Sequence, residues 1–206
     1  VQMQRQYGLT AYLPAVLPES KESTIPDEVA LVFYRTQECY HEAKRSVGGR
    51  AYGELHELVF DMPVSPSGFP KLLAADEIAP DQPYHLFERS IDWQIGYCSL
   101  FVGTRKADVR PDAFLAGVAK VARRVQADPR SLDAAIFSAT TDWVVWWDHS
   151  PTATATGPAH HFEAVANLVH ASAARRLRVP PNLLEPYAGL SLNAQSDFVN
   201  LQFPRG

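Results

Sequence analysis

The chain has 206 residues, 46% of them hydrophobic and 20% charged, which is enough apolar surface for a packed core in one large domain or two small ones. A formal net charge of −4 excludes a global basic field for nucleic acid or an anionic membrane, and no apolar run reaches the about 20 residues that a membrane-spanning helix needs. Two cysteines, Cys39 and Cys98, are too few for a disulfide framework and lack metal-ligand spacing, so a reducing, cytoplasmic setting fits them best.

The opening VQMQRQ is polar and holds no hydrophobic signal core. YGLTAYLPAV predicts a strand, LPESKESTIP a loop, and EVALVFYR a second strand that ends on Tyr34 and Arg35. Thr36 is a good N-cap for a helix through QECYHEAKRSVGGRAYGELHELVFD, with Tyr40, Ala43, Val47, Leu55 and Leu58 as its apolar stripe. Gly48 and Gly49 interrupt that helix, either as a kink or as the joint between two helices. His56, beside Glu54 and Glu57, is a candidate general base if it faces a pocket and an ordinary half-exposed helical histidine otherwise. His41 lies about four turns away and does not meet it through the helix. A proline-rich segment, 63–83, separates two halves, and YHLFER is a candidate closing strand for the first.

In the second half, DWQIGYCSLFVG (92–103) reads as a strand ending at Gly103. Pro111 opens a helix in which Phe114, Val118, Val121 and Val125 recur at helical spacing. LDAAIFSA and DWVVWWDH are two strands joined at Thr140–Thr141, and SPTATATGP is a loop. From Ala159 to Leu177 the spacing of Phe162, Val165, Leu168 and Val169 predicts a second helix, stopped by Pro180–Pro181, and DFVNLQF is the last strand. The arginine pairs at 123–124 and 175–176, with Arg178, read as solvated helix faces.

Strand, helix, strand, strand, helix, strand is the split βαβ, ferredoxin-like order. The first half looks like a shortened copy that lacks one helix and one strand. The expectation is therefore an α+β fold: a ferredoxin-like βαββαβ unit in an internal tandem duplication with an incomplete first copy. Residues 1–90 would form the shortened half and 91–206 the complete one, together one compact domain. EVALVFYRTQECYHEA and the strand order of 92–203 resemble the dimeric α/β-barrel superfamily, which includes the antibiotic-biosynthesis-monooxygenase-like proteins. The resemblance covers element order over most of the chain and no catalytic motif. It implies a pocket between sheet and helices or between paired sheets, where such proteins hold a small organic molecule or haem, and it implies no reaction.

TTDWVVWWDHSP (140–151) is the most unusual stretch. Strand alternation puts Trp143, Val145, Trp147 and His149 on one face and Val144, Trp146 and Asp148 on the other. With both faces apolar, this strand belongs in the centre of a sheet covered on both sides. The indoles either fill a core or form a ligand wall. In a βαββαβ unit the strand at 92–103 should pair with it, and the expected wall is Trp147, Trp143 and His149 beside Trp93, Tyr97 and Phe101; a one-residue slip in register would reverse that. The candidate catalytic residues are thus His149, Tyr97 and His56, and the candidate ligand-binding residues are Trp147, Trp143, Trp93, Phe101, Tyr34 and Arg35. Asp148, His149, His160 and His161 offer a carboxylate and imidazoles, but their spacing matches no metal motif, so neither metal nor cofactor is expected. There is no Walker loop and no G-x-S-x-G elbow. Cys98 should be a buried, unreactive thiol and Cys39 equally without a reaction.

These residues point to a small-molecule-binding protein or a cofactor-independent enzyme acting on a hydrophobic or aromatic metabolite, compatible with a homodimer and without nucleic-acid or membrane partners. The alternative is a non-catalytic interaction or assembly module in which the aromatic strand is plain core.

Overall fold

The computed structural model describes residues 2–16, 28–60, 67–74, 76–89, 91, 97–128, 132–152, 158–177 and 198–202. It is an α+β protein whose chain divides into two compact units, Val1–Phe69 with Pro181–Gly206, and Pro70–Pro180. Among the described residues no helix is long and apolar enough to cross a membrane.

The first unit opens with a short helix, α1 (Gln2–Arg5), and a hairpin of β1 (Leu9–Val16) and β2 (Glu28–Tyr34) in antiparallel register, Tyr12 opposite Val32. EVALVFY forms a strand because its β-branched and aromatic side chains are buried on both faces. Helix α2 (Gln37–Arg45) starts as the sequence predicts, with the Thr36 hydroxyl accepting from the Cys39 amide at 3.2 Å. The glycine interruption resolves into two helices. Ser46 adopts an extended backbone, ends α2, and caps α3 (Val47–Glu57) by accepting from the Gly49 amide at 2.9 Å. Gly49 is required at this joint, since a Cβ there would stand 1.8 Å from the Ala43 carbonyl oxygen. The break resets the helical phase. Tyr40 and Ala43 are buried as expected, but Val47, Leu55 and Leu58 are exposed and do not continue their stripe. Two short pieces complete the sheet: β3 (Ser67–Gly68) and, from the far end of the chain, β10 (Phe198–Gln202), in the order β1-β2-β10-β3.

The second unit holds a six-stranded sheet in the order β4-β5-β7-β8-β6-β9. Its strands are β4 (Lys71–Leu72), β5 (Tyr84–His85), β6 (Tyr97–Arg105), β7 (Ala134–Ala139), β8 (Trp143–Ser150) and β9 (Val169–Leu177). The β7-β8-β6-β9 portion is antiparallel throughout, and β4 alone runs parallel to its neighbour. Helix α4 (Pro111–Ala127) has Pro111 at its first turn, as predicted, and buries Phe114, Val118, Val121 and Val125 against one sheet face. Thr140 builds the β7–β8 turn, its hydroxyl accepting from the amides of Asp142 and Trp143, both at 3.1 Å.

Three expected elements are corrected. The helix over 159–177 shrinks to α5 (Ala159–Phe162) and one 3₁₀ turn, Glu163–Val165; Val169–Leu177 instead pairs with β6 as β9. Pairing along a whole strand edge outweighs the helical propensity of an alanine- and arginine-rich segment. Tyr84–His85, expected to close the first half, joins β7 in the second unit's sheet. Phe198–Gln202, expected to close the second half, pairs with β2 in the first.

Candidate functional site

Strand β8 lies between β7 and β6, central as its two apolar faces require, and all eight of its residues are buried. The register sets Trp147 opposite Leu100, Trp146 opposite Phe101, and His149 opposite Cys98. Directly opposed residues point to the same side of a sheet. Trp143, Trp147 and His149 do share a face, as predicted, but Leu100 and Cys98 share it with them. Phe101 and Tyr97 stand on the other face, beside Trp146 and Ser150. The expected aromatic wall is thus corrected by a one-residue slip. Phe101 stacks on Phe162 with ring centroids 4.3 Å apart, and Trp146 packs with Phe137 and Phe162 in the cluster under α4. Trp93 lies outside the described residues.

The three indoles are 0%, 0% and 1% exposed for Trp143, Trp146 and Trp147. Among the described residues the N–H groups of Trp146 and Trp147 find no hydrogen-bond acceptor. Their rings serve as apolar mass.

The polar groups gather where β8 leaves the sheet, one histidine–carboxylate contact on each face. On the face of Trp147, His149 is buried and its Nδ1 lies 3.4 Å from Asp133 Oδ2, while the Asp133 amide donates to the His149 carbonyl at 2.8 Å. Beside it, burial pushes the Cys98 thiol well up, and the nearby Asp148 carboxylate adds to this, so the sulfur stays protonated and is no nucleophile. On the helix-covered face, Asp148 opposes Ser99 and is buried. His161 of α5 brings Nε2 to 3.9 Å from Asp148 Oδ2, beyond hydrogen-bond reach, with side-chain exposures of 18% and 6%. Burial lowers the His161 pKa, and His160 and Arg124 lower it further. His161 is therefore held neutral, partly open to solvent, next to a buried carboxylate. His160 is exposed and lies 3.2 Å from Glu163. Among the described residues no three histidine, cysteine, aspartate or glutamate side chains come together to hold a metal ion.

The remaining candidates belong to the first unit. Tyr34 is buried, donates to the Gln4 side-chain oxygen, and meets Tyr40 edge to face at 5.3 Å. Arg35 is exposed at the strand end. His56 is half-buried, its Nδ1 donating to the Tyr52 carbonyl at 2.9 Å and its ring centroid 3.9 Å from that of Tyr52. Tyr52 in turn hydrogen-bonds Tyr12, which donates to Glu28 at 3.2 Å; burial pushes Tyr52 up to about 12 and holds Tyr12 and Tyr34 above the ordinary phenol range. These phenols are neutral donors.

Sequence reasoning missed Asp133, and it grouped Asp148 with His160 and His161 only as possible metal ligands, not as a carboxylate–imidazole pair. The hairpin register, Ala134 opposite His149, carries the first, because it sets Asp133 one residue beyond His149's partner. The second depended on α5 being a single turn, which the long predicted helix obscured. Comparison with protein-family models, with curated proteins and with solved structures finds no match to this chain.

Proposed function

We propose that this chain is a cofactor-independent small-molecule protein whose proton-handling site is the Asp148–His161 pair at the carboxyl end of β8. The carrying observation is a neutral, partly exposed imidazole beside a carboxylate that has been taken out of water. Titratable groups whose ionisation is shifted by burial and by charged neighbours concentrate at functional sites. In this reading His161 is the proton acceptor for a hydrophobic or aromatic metabolite that reaches its partly exposed ring, and Asp148 stabilises the imidazolium once it forms. Free cysteines favour a cytoplasmic setting. The antiparallel order β7-β8-β6-β9, with α4 and α5 in the crossovers, supports a ferredoxin-like reading of the second unit. Duplication finds support in β1 and β2, adjacent and antiparallel like β6 and β8, the second strand of each pair leading into a helix. The dimeric α/β-barrel resemblance rests on that same pattern.

A thermal-shift screen with aromatic metabolites tests the site. A ligand that raises the apparent stability of the wild type should lose its effect in His161→Gln and Asp148→Asn. A ligand shift that survives both substitutions refutes this location.

A second reading, a non-catalytic assembly module with the aromatic strand as core, is favoured by the near-zero exposure of all three indoles of β8. It assigns function to a surface.

A further inference from the structure

Helix α3 is built inside out. At 3.6 residues per turn, Val47, Ala51, Leu55 and Leu58 fall on one side, with Val59 following in the turn that continues the helix. All five are exposed, Leu55 by 63% and Leu58 by 82%. The side turned toward the unit carries Gly49, Tyr52, His56 and Phe60, each only half-buried, and α3 has no fully buried residue. A row of aliphatic side chains facing water on an otherwise ordinary surface marks an interaction site.

The charges beside that row select its occupant. Arg50, Glu54 and Glu57 are all exposed and line one flank, and the other flank, at Gly48 and Tyr52, has no charged residue. When two helices pack antiparallel about a two-fold axis, each flank meets the same flank of its partner running the opposite way. An axis near the level of Gly53 sets Val47 against Val59 and Ala51 against Leu55, and brings Arg50 of each copy to Glu57 of the other. Parallel packing would set the charged flank against the uncharged one and leave these groups without partners. We propose that α3 is the contact of a homodimer, pairing antiparallel with α3 of a second copy of this chain. The proposal rests on the assembly reading and supplies its partner. Arg50 keeps Nη1, one of its two terminal guanidinium nitrogens, on the Arg45 carbonyl at 2.5 Å. Glu54 comes close to its own copy near the axis, so this interface carries one built-in repulsion. Three helical turns bury little surface, and the dimer is weak, with a dissociation constant on the order of 10–100 µM.

Sedimentation velocity on the whole chain across that range tests it, with circular dichroism confirming that each variant is folded. Reversible dimerisation that Leu55→Glu abolishes is the expected result. Arg50→Glu should weaken it about tenfold, the double exchange Arg50→Glu with Glu57→Arg should restore it to within about threefold, and Glu54→Gln should tighten it. A chain that stays monomeric to about 1 mM overturns the self-pairing and leaves the assembly reading to a different partner. A dimer indifferent to Leu55→Glu overturns α3 as the contact while keeping assembly itself. A double exchange no better than Arg50→Glu overturns the antiparallel arrangement.

Discussion

Helices α4 and α3 are both amphipathic, and they put their apolar sides to opposite uses. α4 buries seven residues, from Phe114 to Val125, against the sheet that contains Trp146. α3 buries none, turns glycine, tyrosine and histidine inward, and holds its aliphatic row in water. An apolar stripe thus predicts that a helix has something to cover and leaves open whether the covered object lies in the same chain. The deciding feature is the phase at which the helix starts. Pro111 launches α4 with its stripe toward the sheet, whereas Ser46 restarts α3 after α2 has already used the inward direction for Tyr40 and Ala43.

Truncation separates the two helices most sharply. Phe114→Ala should cost about 3–5 kcal/mol in urea unfolding, because the ring is fully buried and its neighbours on the sheet are rigid aromatics. A cost below about 1 kcal/mol would mean that α4 is not fixed on that face. Next in size is the joint that sets α3's phase. Gly49→Ala drives a methyl into the Ala43 carbonyl and should cost about 1–3 kcal/mol, with a loss of helix signal by circular dichroism; an unchanged spectrum and midpoint would remove the need for a glycine there.

Much of this was legible in the chain itself, and the failures have common physical causes. β7, β8 and α4 carry patterns bounded by proline or threonine, so local pattern alone places them. β6 is also found where expected but runs through Gly103, its expected end, to Arg105, because both neighbouring strands continue to pair with it there. β9 escapes local reading because VHASAARRL holds few β-branched residues, and what makes it a strand is the open edge of β6, a partner about 65–80 residues away. The candidate site was half legible. Trp143, Trp147 and His149 share a face by alternation, which is local. That Phe101 meets Trp146 rather than Trp147 is register, which belongs to two strands at once. Asp133 became visible only through the β7–β8 pairing, and the approach of His161 to Asp148 only through the shortness of α5.

A smaller effect is expected in acid, at the end of α4 where Arg124 bears on His161. Because folding lowers the His161 pKa, the unfolded chain binds more protons, and stability rises with pH across the interval between the folded and unfolded values. The support from His161 is therefore lost progressively as pH falls from its unfolded value of about 6.5, and it is least below its folded value. Unfolding midpoints at pH 7.5 and 5 should differ less in His161→Gln than in the wild type; an equal difference would take His161 out of the acid response. Smallest of all, Leu55→Ala on α3 should stay within about 0.5 kcal/mol of the wild type for the monomer, against the several kcal/mol of Phe114→Ala.

The position of β10 in the first sheet has a consequence in time. Strand β2 emerges during synthesis with one neighbour, β1, already made, and its other neighbour lies roughly 170 residues further along. At about 5–20 residues per second that edge stays open for about 10–30 s, while a strand of almost wholly apolar composition waits for Phe198–Gln202. Open apolar edges recruit other strands. The first unit is thus begun early and sealed late, and the interval between is when a newly made chain is most exposed to pairing with the wrong one.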